Sequence, residues 1–325
     1  MDINMKAVVY YNYGSPDVLK CEGIEKPTAG DNEVLIRVRA ASVNPYDWHF
    51  MRGTPYIVRM MAGLLKPKDK RLGVDVAGQV EAVGGNVTQL KPGDEVFGAC
   101  RGAFAEYACA SESALVVKPA NVTFEQAASV PIAAFTALQG LRDKGHLQPG
   151  QKVLINGAAG GVGTFAVQIA KWFGAEVTGV CSTRNVDMVR SIGADRVIDY
   201  TQEDFTKSGQ RYDLFFDCVG NHSLLACRRV LNPKGIYILV GGPGGRWLGP
   251  LARMLKTLVL SWFVSQKLVL FLAKPSKEDL IVMHEIMKAG KVTPVIDKRY
   301  KLSEVPEAIR YLEEGHARGK VVITL

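Results

Sequence analysis

The chain predicts an α/β protein in which a β-rich part accompanies a doubly wound parallel sheet, and three observations carry that expectation. Short β-branched runs bounded by Gly, Pro, Asn or Asp fill the first third. From residue 123 onward, apolar strands alternate with helical segments. A glycine-rich turn joins one of those strands directly to a helix. A chain of 325 residues suits two domains better than one. The expected division is a β-rich domain over 1–122, a parallel-sheet domain over 123–273, and a return to the first domain over 274–325.

In the first part, Ala7 to Tyr11, Glu33 to Ala41, Val74 to Val83 and Glu95 to Ala99 read as strands. Lys91-Pro92-Gly93-Asp94 turns between the last two, because Pro sets φ and Gly tolerates positive φ. Phe124 to Gly140 has helical spacing. There follow a strand at Lys152 to Asn156, a helix at Val162 to Phe173, a strand at Glu176 to Cys181 and a helix at Val186 to Ile192. Further strands lie at Arg196 to Asp199, Asp213 to Asp217 and Gly235 to Val240, with a helix at Ser223 to Leu231 between the last two. Apolar strands separated by helices indicate a parallel sheet covered on both faces. Leu251 to Ala273 is strongly apolar, but Arg253, Lys256, Gln266 and Lys267 interrupt it. Its charge-free piece, Thr257 to Gln266, falls short of the roughly 20 apolar residues of a membrane span. It reads as a buried helix followed by a strand. The tail predicts a helix at Lys277 to Ala289, a short strand at Val295 to Ile296, and a helix at Ser303 to Glu314 capped by Ser303. Lys320 to Leu325 closes as a strand that needs a partner in the first domain.

Composition excludes several classes. With 47% hydrophobic and 22% charged residues the chain is not a disordered one. Six cysteines, at 21, 100, 109, 181, 218 and 227, form no Cys-x-x-Cys pair and read as free thiols in a reducing compartment. The net charge of +8 is scattered, and only Lys66 to Arg71 is dense. No nucleic-acid partner is expected, while peripheral contact with a membrane surface stays open. Met1 to Lys6 lacks a charged-then-apolar leader, so the protein is read as cytoplasmic.

The most informative stretch is Val153-Leu154-Ile155-Asn156-Gly157-Ala158-Ala159-Gly160-Gly161-Val162-Gly163. A strand runs into a glycine-rich turn and a helix follows at once, the context of a dinucleotide fingerprint. Gly160 would let backbone approach a diphosphate, and Gly163 would let helix and strand pack closely. The helix N-terminus adds N–H groups and a positive dipole end. The spacing is read as Ala158-x-Gly160-x-x-Gly163, with Ala at the first position. A tight turn without a ligand is the alternative. The next strand ends in Ser182-Thr183-Arg184-Asn185 with no carboxylate to bond ribose hydroxyls. Ser, Thr and Arg can donate to a 2′-phosphate, so NADPH is the expected cofactor and Arg184 its chief reader. A solvated arginine is the competing account of Arg184.

Taken with Met5-Lys6-Ala7, Asn44-Pro45-Tyr46-Asp47, Gly73-Val74-Asp75, Lys91-Pro92-Gly93-Asp94, Ala134-Phe135-Thr136, Gly193-Ala194-Asp195 and Arg318-Gly319-Lys320, these features resemble the medium-chain dehydrogenase/reductase superfamily. The matching branch is that of zinc-independent quinone oxidoreductases and alkenal/enone reductases. The resemblance implies a GroES-like β-rich domain formed from both chain ends, with an inserted Rossmann domain. It implies cofactor contacts at Asn44, Thr136, Ala159, Gly160, Gly161, Val162, Gly163, Ser182, Thr183, Arg184, Tyr200, Val219, Gly220, Val240, Gly241, Gly242 and Lys320. It also implies a homodimer, with Gln266 to Leu272 as a sheet edge that a partner would cover. Zinc-dependent relatives carry a cysteine ligand where this chain has Asn44, and Gly-His-Glu where it has Gly73-Val74-Asp75. No metal site is therefore expected.

The expected activity is hydride transfer from NADPH to a small lipophilic quinone, alkenal or enone. Asn44, Tyr46 and Tyr56 are the candidate catalytic residues, as hydrogen-bond or proton donors. For Asn44 and Asp47 a structural turn is the equal alternative. Met60 to Leu65, with Trp247, Leu248 and Leu251, would wall a lipophilic site or else be core or dimer packing. Competing functions are a zinc-free ketone or acyl reductase and a non-catalytic NADPH-binding protein.

Overall fold

The computed structural model describes residues 4–241 and 265–325. The described residues form two compact units, one reaching to Ile132 and joined by Pro275–Leu325, the other formed by Ala133–Lys274.

The first unit is β-rich. β1 (Asn4–Val9) and β2 (Lys20–Glu25) make an antiparallel pair. A seven-stranded sheet holds β3 (Glu33–Val43), β4 (Asp75–Val83), β5 (Glu95–Ala99), β6 (Tyr107–Ser111) and β7 (Leu115–Val117). It also takes two tail strands, β14 (Ile296–Lys301) and β15 (Lys320–Thr324), in the order β14-β15-β3-β4-β5-β7, with β6 also on β3. β15 pairs antiparallel with β3, Val321 opposite Val43 and Thr324 opposite Ala40. The closing strand thus finds its partner in β3. Ile36, Val76, Phe104, Leu115, Met51 and Ile309 fill the core beneath this sheet. α1 (Pro45–Arg52) follows β3 at once, α2 (Ile57–Ala62) comes next, and α3 (Phe124–Ala128) leads toward the second unit.

The second unit begins within α4 (Pro131–Gln139). Six strands follow: β8 (Lys152–Asn156), β9 (Glu176–Cys181), β10 (Arg196–Asp199), β11 (Tyr212–Asp217), β12 (Leu231–Leu239) and β13 (Lys267–Leu270). They pair in parallel in the order β10-β9-β8-β11-β12-β13. That is the doubly wound order, which reverses direction beside the first strand and leaves a crevice at the strands' carboxyl ends. α5 (Gly161–Trp172), α6 (Val186–Ser191) and α7 (Leu224–Arg229) are the described crossover helices. Leu154, Val180, Phe215, Leu231 and Tyr237 form part of its core.

Several elements differ from expectation. The helix over Phe124 to Gly140 breaks at Pro131, which has no N–H to continue the ladder, and it ends in a wider turn over Gly140–Lys144. Ser303 caps nothing. The turn Leu302–Glu304 precedes the last helix, Val305–Glu313, and the Glu304 carboxylate accepts the Lys301 N–H at 2.7 Å. The short strand at Val295 to Ile296 becomes Ile296–Lys301, paired in parallel with β15. The apolar segment Leu251 to Ala273 yields β13, while its expected helix, with Trp247, Leu248 and Leu251, lies outside the described residues. Among the described residues no helix is long and apolar enough to cross a membrane.

Candidate functional site

In the second unit the carboxyl ends of β8, β9, β11 and β12 converge. After Asn156 the chain turns at Gly157, whose φ of +79° lies in the region open to glycine. The tight-turn duty therefore falls to Gly157, not to Ala158, where the sequence reading placed the fingerprint's first position. Ala158 is buried instead, and its N–H bonds the Val180 carbonyl at 3.0 Å. Gly160 is the N-cap of α5. A methyl there would meet only the Gly157 carbonyl oxygen, at 3.4 Å, so space in front of it is open. A methyl on Gly163 would come within 2.0 Å of that same oxygen and 2.8 Å of Ala158 Cα, so only glycine lets α5 pack this close. Thr164 makes the first helical bond, to the Gly160 carbonyl. The N–H groups of Gly161, Val162 and Gly163 stand at the orphan positions of a helix start, where the dipole favours an anion. Ala159, Gly160 and Val162 belong to the same turn.

One buried carboxylate organises this region, and the sequence reading missed it. Asp217, at the end of β11, accepts through Oδ1 from Asn156 Nδ2 (2.9 Å), Val219 N (3.0 Å) and Gly220 N (2.8 Å). Its Oδ2 accepts from the Tyr237 hydroxyl at 2.8 Å. Val240 donates to the Asp217 carbonyl at 3.0 Å, and a methyl on Gly241 would strike the Cys218 carbonyl oxygen at 2.0 Å. Asp217 thus gathers Val219, Gly220, Val240 and Gly241 beside the glycine turn; Gly242 lies outside the described residues. A carboxylate at the end of a strand, two residues ahead of Val219-Gly220, was the available signal. Thr136 sits half-buried on α4.

On the β9 side, Thr183 and Arg184 are exposed and Ser182 is half-buried. Thr183 Oγ1 donates to Asp199 Oδ2 at 2.6 Å, and Thr201 donates to Asp199 Oδ1 through N (3.0 Å) and Oγ1 (2.8 Å). These donors, Thr183 first, hold the Asp199 carboxyl below its ordinary range. The sequence reading saw no carboxylate at the end of β9; the fold brings one from the end of β10. Tyr200, beside it, is exposed.

The first unit holds a buried polar cluster where β3 ends and β4 and β15 begin. Asn44 Nδ2 donates to Asp75 Oδ2 at 2.8 Å and to the Ser42 carbonyl at 3.2 Å. Lys320 Nζ donates to Asn44 Oδ1 at 2.6 Å and lies 3.5 Å from Asp75 Oδ2. Ser42 Oγ and the Ile132 N–H complete the partners of Asp75. Burial lowers the Lys320 pKa, against the pull of Asp75. Asp47 accepts the Asn44 N–H at 2.8 Å and the Gly73 N–H at 3.0 Å. Burial nevertheless pushes its carboxyl up to about 7. Asn44 and Asp47 therefore cap α1, and the Asn44 amide is engaged at both ends. Tyr46 stacks on Phe50, centroids 4.0 Å apart, and lines a cavity of about 220 Å³ with Tyr10, Met61, Arg71 and Arg101. Burial raises its pKa. Tyr56 is not part of that lining; its ring packs under the Arg59 guanidinium at 4.9 Å.

Residues 30–120 match the alcohol dehydrogenase GroES-like domain and residues 192–323 the zinc-binding dehydrogenase domain. The chain is 34% identical to the chloroplast envelope quinone oxidoreductase homolog of Arabidopsis thaliana, over 98% of both chains. The chain belongs to the medium-chain dehydrogenase/reductase superfamily. Within this superfamily it falls in the quinone oxidoreductase and alkenal/enone reductase branch, and it is an oxidoreductase. It is 35% identical to the NADPH-dependent alkenal/one oxidoreductase of Arabidopsis thaliana, over 98% of this chain and 79% of that one. The quinone oxidoreductase of Coxiella burnetii superposes with a TM-score of 0.87 at 30% identity, over 99% of each chain.

The superfamily's zinc-binding description does not suit the residues here. At the expected ligand positions stand Asn44, whose amide is bonded at both ends, Val74, which has no donor atom, and Asp75, which already faces the Lys320 ammonium. Among the described residues no three His, Cys, Asp or Glu side chains are grouped to hold a metal ion. The cytoplasmic reading is contradicted by the comparisons, since both Arabidopsis thaliana relatives are named for the chloroplast. That reading rested on a missing apolar leader, whereas plastid and mitochondrial transit segments are amphipathic and lack one.

Proposed function

We propose that this chain is a zinc-independent, NADPH-dependent reductase of quinones or α,β-unsaturated carbonyl compounds. The observation that carries the reading is the Gly157–Gly163 turn, where an open face at Gly160 meets the orphan N–H groups that start α5. Ala159, Gly160, Gly161, Val162 and Gly163 are assigned to the diphosphate. Ser182, Thr183 and Arg184 are assigned to the 2′-phosphate, and Tyr200 to the adenine. Thr136, Val219, Gly220, Val240 and Gly241 are assigned to the nicotinamide end, the latter four held by Asp217 and its loop. Bound NADPH supplies a hydride; the protein supplies orientation and polarity. Tyr46 or Tyr56 is assigned the hydrogen bond to the substrate's carbonyl oxygen, and Asn44 and Lys320 the support of the turn that carries Tyr46. The names of the two relatives support quinones and alkenals as the substrate class, and the second supports NADPH. The Lys320–Asp75 pair supports a site in which no metal polarises the substrate. We also assign a homodimer formed through the β13 edge.

The test is to follow the loss of reduced-nicotinamide absorbance with NADPH or NADH against quinones, 2-alkenals and long-chain enones. Turnover that favours NADPH and survives a chelator supports the reading. Inactivation by chelator would remove the zinc-free assignment, and failure to bind either coenzyme would remove the rest.

A further inference from the structure

Residues 57–71 display an unusual surface. Ile57, Met60, Met61, Leu64 and Leu65 are 64%, 73%, 77%, 71% and 90% exposed. A contiguous apolar surface of this kind on a soluble protein marks a contact face. The segment is built to present it. The Tyr13 hydroxyl donates to the Gly63 carbonyl at 2.5 Å, and Lys68 N donates to the Ala62 carbonyl at 2.8 Å. Arg59 bonds the Gly53 carbonyl and lies over the Tyr13 and Tyr56 rings. The charge beside it is one-sided: Arg59, Lys66, Lys68, Lys70 and Arg71 stand against the single acid Asp69. Asp69 is already paired with Arg71 at 3.3 Å, while Lys66, Lys68 and Lys70 are exposed.

We propose that this face docks on an anionic membrane surface, with Met60, Met61, Leu64 and Leu65 entering the acyl boundary and Lys66, Lys68 and Lys70 meeting the headgroups. Apolar side chains ringed by lysines are what such an interface selects. A second copy of the chain suits the face less well, since it would bring a second set of these lysines to the contact with only Asp69, already paired with Arg71, to answer them. Met61, Ala62 and Lys68 also line the cavity that holds Tyr46. On the function proposed above, a long-chain quinone or enone dissolved in the bilayer then reaches that cavity without crossing water.

Flotation of the full-length protein with vesicles of phosphatidylcholine, with and without phosphatidylglycerol, tests the proposal. The expected result is binding to phosphatidylglycerol vesicles at low salt, reduced at least about tenfold on phosphatidylcholine alone or at high salt, where surface charges are screened. Leu64→Gln with Leu65→Gln, and separately Lys66→Glu with Lys68→Glu, are each expected to lower the bound fraction at least about tenfold. Melting temperature and NADPH affinity check that both variants are folded. Absence of vesicle binding, equal binding to neutral vesicles, or binding that survives in both variants overturns the proposal. So does a dimer that the Leu64/Leu65 variant abolishes with no vesicle binding, which assigns the face to a second copy. Vesicle binding by a protein that binds no NADPH would leave the docking face standing and remove the function above.

Discussion

At the residue scale, chemistry is set by a few atoms whose surroundings leave no slack. A Cβ at Gly163 would meet the Gly157 carbonyl oxygen at 2.0 Å, and the neighbours it would strike are backbone atoms of Gly157 and Ala158, which cannot swing aside as a flexible side chain can. Gly163→Ala is expected to cost about 1–3 kcal/mol in denaturant unfolding, as overpacking does, and to weaken NADPH binding in a fluorescence titration. Arg184 has a different task. Arg184→Ala is expected to raise the KM for NADPH roughly 10–100-fold, the loss of one charge-assisted contact, and to leave that for NADH nearly unchanged. Equal losses for both coenzymes would remove Arg184 from the 2′-phosphate. The glycine pattern and the Ser182–Arg184 triplet were legible in the sequence because their spacing is local. The bonds of Asp199 to Thr183 and of Asp217 to Asn156 were not, because only the strand order of the parallel sheet brings those segments together, although the place of Asp217 ahead of Val219-Gly220 was itself a local signal.

At the element scale, one buried cluster ties the end of β3 to the starts of β4, β15 and α1. Ser42, Asp75 and Lys320 come from three strands, Asn44 is the N-cap of α1, and the four share their bonds. Removing one member of a buried ion pair leaves the other uncompensated. Lys320→Met is therefore expected to cost about 3–5 kcal/mol, and Lys320→Met combined with Asp75→Asn substantially less than the sum of the two single changes. Additive losses in urea unfolding would show that the pair is not coupled. Asp47 gives a pH signature. Its folded pKa of about 7 lies above the ordinary value of 3.8, so the folded state binds this proton more tightly. Stability from this group is fully present below the unfolded pKa and is lost as pH rises through about 7. Wild type compared with Asp47→Asn across roughly pH 5 to 8 should show a fall in relative stability with rising pH; a constant difference would refute the shift. The strands of the parallel sheet were readable from their apolar runs. β2 was not, because its side chains are largely exposed, and β7, three residues long, was too short to show a period.

For the whole molecule, the doubly wound order and the return of the tail to β3 follow from patterns visible in the chain, since a closing strand without a neighbour must pair elsewhere. Periodicity does not announce how an edge is covered; the partner expected over Gln266 to Leu272 comes from the family resemblance alone. Among the described residues β13 has a strand neighbour on one side only, β12. Leu270, its last residue, and Leu272 just past it are 39% and 90% exposed. An apolar strand with one open row of backbone groups invites another strand, and natural proteins blunt such edges with charge, proline or a partner. Lys267 is the one charge on β13, at its first residue, and the cover we propose for this edge is a second copy of the chain. If β13 pairs with its copy across a two-fold axis, Val269→Pro removes one N–H from that pairing and Leu270→Lys places like charges across it. Each variant should sediment as a monomer at concentrations where the wild type is dimeric, with the parallel sheet's circular dichroism unchanged. A wild type that sediments as a monomer throughout, or variants that remain dimeric, would show that the β13 edge is left to solvent.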